Sequence, residues 1–312
     1  MAPDGYLCSM TARPERKFIF LINPISGNKT KTNLRKLVLD AAAKQKLAAI
    51  VLPTVASGDY SFVEERIKEE DYTDIIICGG DGSVNQVIAA LRHLSVNFGI
   101  IPLGSGNGLA LSANIPKATT KAIDLALKGK ARFVDGYLVN DRFACMLVGL
   151  GFDAKVAHDF ARQPGRGLLT YTQQTLKNYF TATTYPFDIL VHDQVIQTDA
   201  FFISIANSNQ FGNQFTIAPQ ASLNDGLLDI VLVPKMNKAI LPFALIQQVN
   251  SGKIKSQPDE TPNTIQYFQT PKLQIRNRGN APLHIDGEPV ESDSHLQITI
   301  IPRAFKLIQP ED

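Results

Sequence analysis

The chain has 312 residues, of which 44% are hydrophobic and 19% are charged, and its formal net charge is +2. This length is enough for about two globular domains with large cores. The near-neutral charge argues against a nucleic-acid-binding protein, and no apolar run is long enough to span a membrane. The cysteines, Cys8, Cys78 and Cys145, are too few and too scattered for a disulfide framework. We therefore expect a cytoplasmic protein without a transmembrane segment.

Strand and helix patterns alternate through the first 130 residues. Continuous apolar runs at 17–22 and 48–52 predict strands, and the patterns at 34–41 and 62–70 predict helices after them. Such alternation is typical of a parallel sheet, in which ligands bind at the carboxyl ends of the strands. The loop after the first strand carries Asn23, Ser26 and Gly27, which either offer donors to a nucleotide or serve as turn and helix-cap residues.

A glycine-rich turn follows the apolar run at 75–78. Gly79, Gly80 and Gly82 allow an anion to approach the backbone, and the N-terminus of the helix that follows carries unpaired N–H groups. A carboxylate in this turn would repel phosphate unless a cation or a transferable proton lay between them. Asp81 is therefore predicted to be magnesium-linked or catalytic, with a simple helix cap as the alternative.

A second turn of the same kind follows the apolar run at 98–102. It contains Gly104, Ser105 and Gly106, and a helical pattern begins at Leu109. The two turns are expected to line one cleft from two sides.

From Arg132 onward the pattern changes to short strands separated by polar turns. Strands are predicted at 133–139, 143–148, 187–192, 200–205, 228–233, 273–276 and 296–300. This predicts a mainly antiparallel second domain that begins near 128–130. Taken alone, Asp286-Gly287 between apolar residues is typical of a hairpin turn.

Seven short motifs, in this order and spacing, resemble the catalytic domain of the diacylglycerol kinase and sphingosine kinase family, in its soluble bacterial form. They are Asn-Pro-Ile-Ser-Gly at 23–27, Gly-Gly-Asp-Gly-Ser-Val-Asn at 79–85, Pro-Leu-Gly-Ser-Gly-Asn at 102–107, Val-Asp-Gly at 134–136, Gly-Leu-Gly-Phe-Asp-Ala at 149–154, Asp-Gly-Leu-Leu-Asp at 225–229 and His-Ile-Asp-Gly-Glu at 284–288. The chain departs from the bacterial pattern at Ser83, where threonine is frequent, and at Asn107-Gly108, where Asn-Asp is frequent.

The resemblance implies an α/β nucleotide-binding domain and a mainly antiparallel β-sandwich, with substrate in the cleft between them. The first domain would comprise residues 13–128 and be completed by 303–312, and the second would comprise 129–302. The resemblance also implies ATP and Mg²⁺ as cofactors. The implied nucleotide contacts are Asn23, Pro24, Ile25, Ser26, Gly27, Thr54, Gly79, Gly80, Asp81, Gly82, Ser83, Val84, Asn85 and Ser105.

The same resemblance implies roles for several carboxylates. Asp81, with Asp135 as a second group, would act on magnesium, partly through water. Asp286 or Glu288 would be the general base, with Asp286 preferred. A second magnesium ion would be bound by Asp225 and by main-chain oxygens of Ser222 and Leu227. The apolar stretch at 168–180 is either core or an acyl-chain pocket, and its members are Leu168, Leu169, Tyr171, Leu176, Tyr179 and Phe180.

We therefore expect an ATP- and magnesium-dependent lipid kinase that works at the inner face of the membrane without spanning it. Three alternatives stay open: a kinase of NAD, which shares the Gly-Gly-Asp-Gly turn, a nucleotide-binding regulator without turnover, and a dehydrogenase. The sequence identifies neither the lipid nor the oligomeric state, for which a homodimer is one option.

Overall fold

The structure is a computed structural model and describes residues 16–24, 31–152, 154–155, 182–209 and 216–311. In this part of the chain the helices are α1 (Lys31–Lys44), α2 (Ser61–Glu70), α3 (Asp81–Leu91), α4 (Gly108–Ser112), α5 (Thr119–Lys128) and α6 (Leu241–Ser251). The strands are β1 (Lys17–Ile22), β2 (Ala48–Pro53), β3 (Asp74–Gly79), β4 (Asn97–Pro102), β5 (Lys130–Val139), β6 (Arg142–Ala144), β7 (Leu147–Gly151), β8 (Tyr185–Val191), β9 (Gln194–Ala206), β10 (Leu228–Pro234), β11 (Gln266–Thr270), β12 (Lys272–Asn277), β13 (Leu283–Ile285), β14 (Glu288–Val290) and β15 (His295–Gln309).

The first four strands form a parallel sheet in the order β2-β1-β3-β4. Their continuous apolar runs are buried on both faces, as the strands of a helix-covered parallel sheet must be. The predicted α/β class of this half is confirmed. The carboxyl ends of β1, β2 and β3 lie at one edge, and the polar turns that follow them are brought together there.

The second half is built from antiparallel pairs. β9 pairs with β7, β8 and β10, while β12 pairs with β8 and β15. A separate apolar cluster fills this half, and Tyr137, Phe187 and Phe268 are among its fully buried members. The predicted β-sandwich is therefore confirmed.

The last strand, β15, contributes to both halves of the molecule. Its first part pairs with β12 and β5, and the pairing register shifts between Ile301 and Phe305. Beyond the shift, Lys306 and Leu307 pair in parallel with Asn97 and Phe98 of β4. The end of the chain thus extends the parallel sheet of the first half.

Two elements differ from the sequence-based prediction. The strand predicted at 143–148 is split into β6 and β7, because the backbone of Cys145 and Met146 turns toward a buried carboxylate described below. Helix α6 has no counterpart in the prediction. It has Pro242 in its first turn and ends at Gly252, whose positive φ of 55° is typical of a helix C-cap.

No helix in the described part of the chain has the length and apolar character needed to cross a bilayer.

Candidate active site

The N-terminus of α3 carries backbone donors without an intrahelical partner. The N–H of Val84 bonds the carbonyl of Gly80 at 3.0 Å, which leaves the N–H groups of residues 81–83 outside the intrahelical pattern. The N-cap residue, Gly80, has no side chain that could cap them. This helix end therefore has the donors, the dipole and the bare backbone of an anion site.

The glycines of the turn are required by close packing. A Cβ on Gly104 would lie 2.6 Å from the Cα of Gly80, so the two predicted turns touch through their backbones. A Cβ on Gly82 would lie 2.6 Å from Oε1 of Glu288, and one on Gly79 would lie 2.8 Å from the Cβ of Ser83. Gly82 is therefore the point at which the anion turn meets a carboxylate of the second half.

The loops after β1 and β2 lie beside this helix end. Asn23 donates its side-chain amide to Oγ of Ser83 at 2.8 Å, and its backbone N–H bonds the carbonyl of Cys78 at 3.1 Å. Thr54 is buried, and its N–H bonds the carbonyl of Ile22 at 3.1 Å. Pro24 directly follows Asn23. The structure thus brings Asn23, Pro24 and Thr54 to the predicted nucleotide edge, while Ile25, Ser26 and Gly27 fall outside the described residues.

The carboxylate of Asp81 faces the N-terminus of α4. Burial raises the pKa of Asp81 from 3.8 to about 6, and the negative charge of Asp286 raises it further. Hydrogen bonding from the backbone of Asn107, Gly108 and Leu109 acts in the opposite direction. Asp81 is thus held beside a second carboxylate, an arrangement that a bound cation would stabilise.

The second glycine turn therefore contributes differently from what its sequence suggests. The backbone of residues 107–109 serves Asp81, and the side chain of Asn107 closes the turn by bonding both the N–H and the carbonyl of Gly104. Ser105 is exposed at the tip of this turn. The turn positions the acidic residue of the first turn, and we identify no second set of free phosphate donors in it.

Asp286 lies at the centre of a dense hydrogen-bond network. Its Oδ2 accepts from the Asn85 amide at 2.6 Å and from the N–H of Cys145 at 3.0 Å. Its Oδ1 accepts from the N–H groups of Met146 at 3.0 Å and Leu147 at 2.9 Å. The side chain is buried, and burial raises its pKa although these donors oppose the shift. Every oxygen of this carboxylate is occupied by protein donors.

Two residues predicted to contact the nucleotide have other partners. The amide of Asn85 donates to Asp286 and, at 3.2 Å, to the carbonyl of Phe143. The side chain of Val84 is buried in the core beneath α3. The structure thus gives Asn85 to the network of Asp286 and Val84 to the core, so neither side chain is directed at a ligand by the contacts described.

Glu288 begins β14, directly after the hairpin turn that contains Asp286, and its side chain is exposed. It lines an open groove of about 770 Å³ together with Gly82 and Ser83 of the anion turn. The other lining residues are Ser57, Gly58, Asn85, Gln86, Ala89 and Ala90. In contrast to Asp286, Glu288 presents its carboxylate to the space in front of α3.

The remaining predicted metal residues lie in a second cluster. Asp135 is buried, with its Oδ2 accepting from the N–H of Gly226 at 2.8 Å and its Oδ1 from the N–H of Arg303 at 2.6 Å. Asp225 accepts from the N–H of Leu227 at 3.0 Å, and its pKa is raised by burial and by the charge of Asp135. The structure therefore brings Asp135 to Asp225.

This second cluster includes the side chain of Ser222, which donates to Oδ1 of Asn224 at 3.2 Å. Among the described residues, no group of three or more His, Cys, Asp and Glu side chains could hold a metal ion. A metal here would have to rely on main-chain oxygens, as predicted for Ser222 and Leu227. The apolar residues at 168–180 lie outside the described part of the chain.

Two contributors to the site were not predicted. The N–H groups of residues 145–147 bind Asp286, and backbone donors have no residue-type signature in a sequence. Asn207 is buried and donates its amide to the carbonyls of Asp135 at 2.8 Å and Cys145 at 3.3 Å. It links the two carboxylate clusters, and the only sequence signal was a polar residue directly after the apolar run at 200–206.

Comparison with known proteins agrees with this architecture. Residues 17–139 match the model of the diacylglycerol kinase catalytic domain, and residues 146–309 match the YegS C-terminal NAD kinase beta sandwich-like domain. A solved structure of a diacylglycerol kinase from Bacillus anthracis strain Sterne has a TM-score of 0.70 and 20% identity, covering 96% of this chain and 98% of that chain. At this identity the likeness establishes the fold.

Curated relatives are similar over most of the chain. A protein of Enterobacter sp. (strain 638) called "Probable lipid kinase YegS-like" is 30% identical over 267 residues, which cover 83% of this chain and 85% of the relative. A protein of the same name from Yersinia pestis (strain Pestoides F) is 30% identical over 305 residues, covering 91% and 94%. The protein therefore belongs to the diacylglycerol kinase catalytic-domain family, in its YegS-type lipid kinase branch.

Proposed function

We propose that the protein transfers the γ-phosphate of ATP, bound with Mg²⁺, to the hydroxyl group of a lipid. The observation that carries this proposal is the approach of Glu288, from the second half of the molecule, to Gly82 at the N-terminus of α3. A proton acceptor and an anion site thus face the same groove, as phosphoryl transfer to an alcohol requires.

The nucleotide phosphates fit the N-terminus of α3. The free N–H groups of residues 81–83 and the bare turn at Gly79 and Gly80 match the needs of a phosphate. The neighbouring carboxylates Asp81 and Asp286 raise each other's need for a cation, which supports a magnesium-linked role for Asp81. Bound Mg²⁺ would neutralise phosphate charge and orient the γ-phosphate.

We assign the role of general base to Glu288. In this assignment Glu288 accepts the proton of the lipid hydroxyl while the hydroxyl oxygen bonds to the γ-phosphorus and ADP leaves. Asp286 is the less suitable base because both of its oxygens already accept hydrogen bonds from Asn85 and residues 145–147. Asp286 is instead a positioning residue that holds the hairpin carrying Glu288 against α3.

The acceptor is assigned by class. The curated relatives are called lipid kinases and the solved structure a diacylglycerol kinase, which supports a long-chain alcohol such as diacylglycerol as the acceptor.

The test is transfer of labelled γ-phosphate from ATP to a panel of lipid alcohols in mixed micelles with Mg²⁺. We expect Glu288→Gln to lower kcat by about 10²- to 10⁴-fold, the usual contribution of a general base, with ATP affinity unchanged. Asp286→Asn should lower kcat and also lower thermal stability, since it disturbs a buried network. Glu291→Gln, an exposed carboxylate just beyond the same hairpin, is the matched control and should retain full activity.

Wild-type transfer by Glu288→Gln would remove Glu288 from the chemistry. Phosphorylation of NAD with no lipid in the panel labelled would overturn the lipid acceptor.

A further inference from the structure

Helix α6 exposes large apolar side chains that the fold does not use. Ile240, directly before the helix, is 58% exposed, while Phe243 and Ile246 are 74% and 59% exposed. Among the described residues six large hydrophobic side chains are exposed, and these three lie within seven positions of each other. A contiguous apolar patch of this kind marks an interaction surface more often than a scattered exposed residue does.

The opposite side of α6 is fully committed to the core. Leu241 is buried, and Ala244 and Leu245 pack against the apolar cluster that contains Val231 and Val233 of β10. The helix contains no charged residue between Leu241 and Ser251. Its outer face therefore lacks the charged side chains that normally cover the solvent side of a surface helix.

Positive charge lies at both ends of the helix. Lys235 precedes it and Lys253 follows it, both exposed, and neither ammonium group is paired with a carboxylate in the described part of the chain. Lys255, one turn further, is already paired with Asp259 at 2.8 Å. An uncharged apolar face bounded by lysines is complementary to the surface of an anionic lipid bilayer, whose head groups attract the lysines while apolar side chains enter the acyl boundary.

We propose that α6 docks the protein on an anionic lipid bilayer, with Phe243 and Ile246 inserted and with Lys235 and Lys253 on the head groups. At 11 residues the helix is about 16 Å long, too short to span the hydrocarbon core and suited to lying in its surface. A second copy of the chain fits less well, because two-fold pairing of α6 with α6 would bring the lysines of one copy onto those of the other.

The experiment is co-sedimentation of the full-length protein with two kinds of vesicle, pure phosphatidylcholine and phosphatidylcholine with phosphatidylglycerol. We expect preferential binding to the anionic vesicles and a decrease at high salt. The double variant Phe243→Gln/Ile246→Gln should weaken this binding about tenfold or more, because it removes the apolar groups that enter the bilayer. Lys235→Glu/Lys253→Glu should abolish the preference for anionic vesicles.

Matched controls separate these effects from general changes. Leu190→Gln/Val195→Gln removes two exposed apolar side chains on β8 and β9, and Lys117→Glu/Lys121→Glu makes the same charge change on the first half of the molecule. Both should bind vesicles like the wild type. Binding that is unchanged in the α6 variants would overturn the proposal. So would a wild-type dimer that Phe243→Gln/Ile246→Gln converts to a monomer without affecting vesicle binding.

This inference is linked to the proposed function, since a kinase of bilayer lipids must reach the surface that contains them. The two are tested separately, because vesicle binding requires neither ATP nor turnover. Vesicle binding through α6 without labelling of any lipid would leave the docking surface standing and refute the lipid kinase. Lipid phosphorylation in micelles with vesicle binding independent of α6 would have the reverse meaning.

Discussion

Asp81 combines a functional position with an energetic cost. Its pKa is raised from 3.8 to about 6 by burial and by the charge of Asp286, so the folded protein binds its proton more tightly than the unfolded chain does. The contribution of Asp81 to the free energy of unfolding therefore increases as the pH falls through about 6. Above that pH the ionised carboxylate destabilises the metal-free fold.

Asp81→Asn should separate stability from activity. In metal-free protein at pH 8 we expect it to raise the free energy of unfolding by about 1–3 kcal/mol, and the gain should shrink at pH 5, where wild-type Asp81 is largely protonated. Phosphoryl transfer should be lost at both pH values. Urea unfolding at the two pH values measures the first effect. A loss of stability at pH 8 would show instead that the hydrogen bonds from the backbone of α4 outweigh the burial of charge.

Helix α3 contains a glycine whose role is to leave space for a carboxylate. At Gly82 a methyl group would lie 2.6 Å from Oε1 of Glu288, the far end of a flexible side chain that can move away. Alanine also favours helix over glycine by up to about 1 kcal/mol. The fold can therefore accept Gly82→Ala, whereas the geometry of the groove cannot.

Gly82→Ala is expected to raise the melting temperature slightly while strongly lowering kcat. Ala89→Gly is the converse control: this exposed residue lies on the same helix and lines the same groove, and glycine there should lower the melting temperature and preserve activity. Differential scanning calorimetry and the phosphate-transfer assay measure the two quantities. Equal activity of both variants would mean that the position of Glu288 is not critical.

The local elements of the first half were predictable because their signals lie within short windows. β1 occupies the predicted residues, and β2, β3 and α2 begin or end within one residue of the expected positions, since apolar runs and glycine turns encode them directly. The split between β6 and β7 was not predictable, because it depends on Asp286, which is 141 positions away from Cys145. Helix α6 was missed because it lacks the polar face from which helical periodicity is recognised.

β15 joins the two halves into one molecule. Its end pairs with β5 and with β4 of the parallel sheet, and the N–H of Arg303 bonds the buried Asp135 at 2.6 Å. The division of the chain into 13–128 with 303–312 and into 129–302 stays a prediction, and truncation can test it.

Removal of residues 303–312 should abolish a stable fold, because it exposes Phe98 and Val134 and leaves Asp135 short of a donor. Removal of 310–312 alone, beyond the end of β15, should cost less than about 1 kcal/mol, since it deletes only the surface ion pair of Glu311 with Lys130. Circular dichroism and size-exclusion chromatography measure both. A folded, monodisperse protein without 303–312 would show that the first half does not depend on its last strand.

The sequence alone was sufficient for the fold class, for the anion turn at Gly79–Gly82 and for the family, because these depend on apolar periodicity and on glycines at fixed spacing. The division of labour within the site required the tertiary structure. Asn85 and Asp286 are 201 positions apart, and only folding makes one the partner of the other and leaves Glu288 facing Gly82. The physical reason is that a carboxylate's role is set by the backbone donors around it, and backbone donors are the same at almost every residue of a sequence.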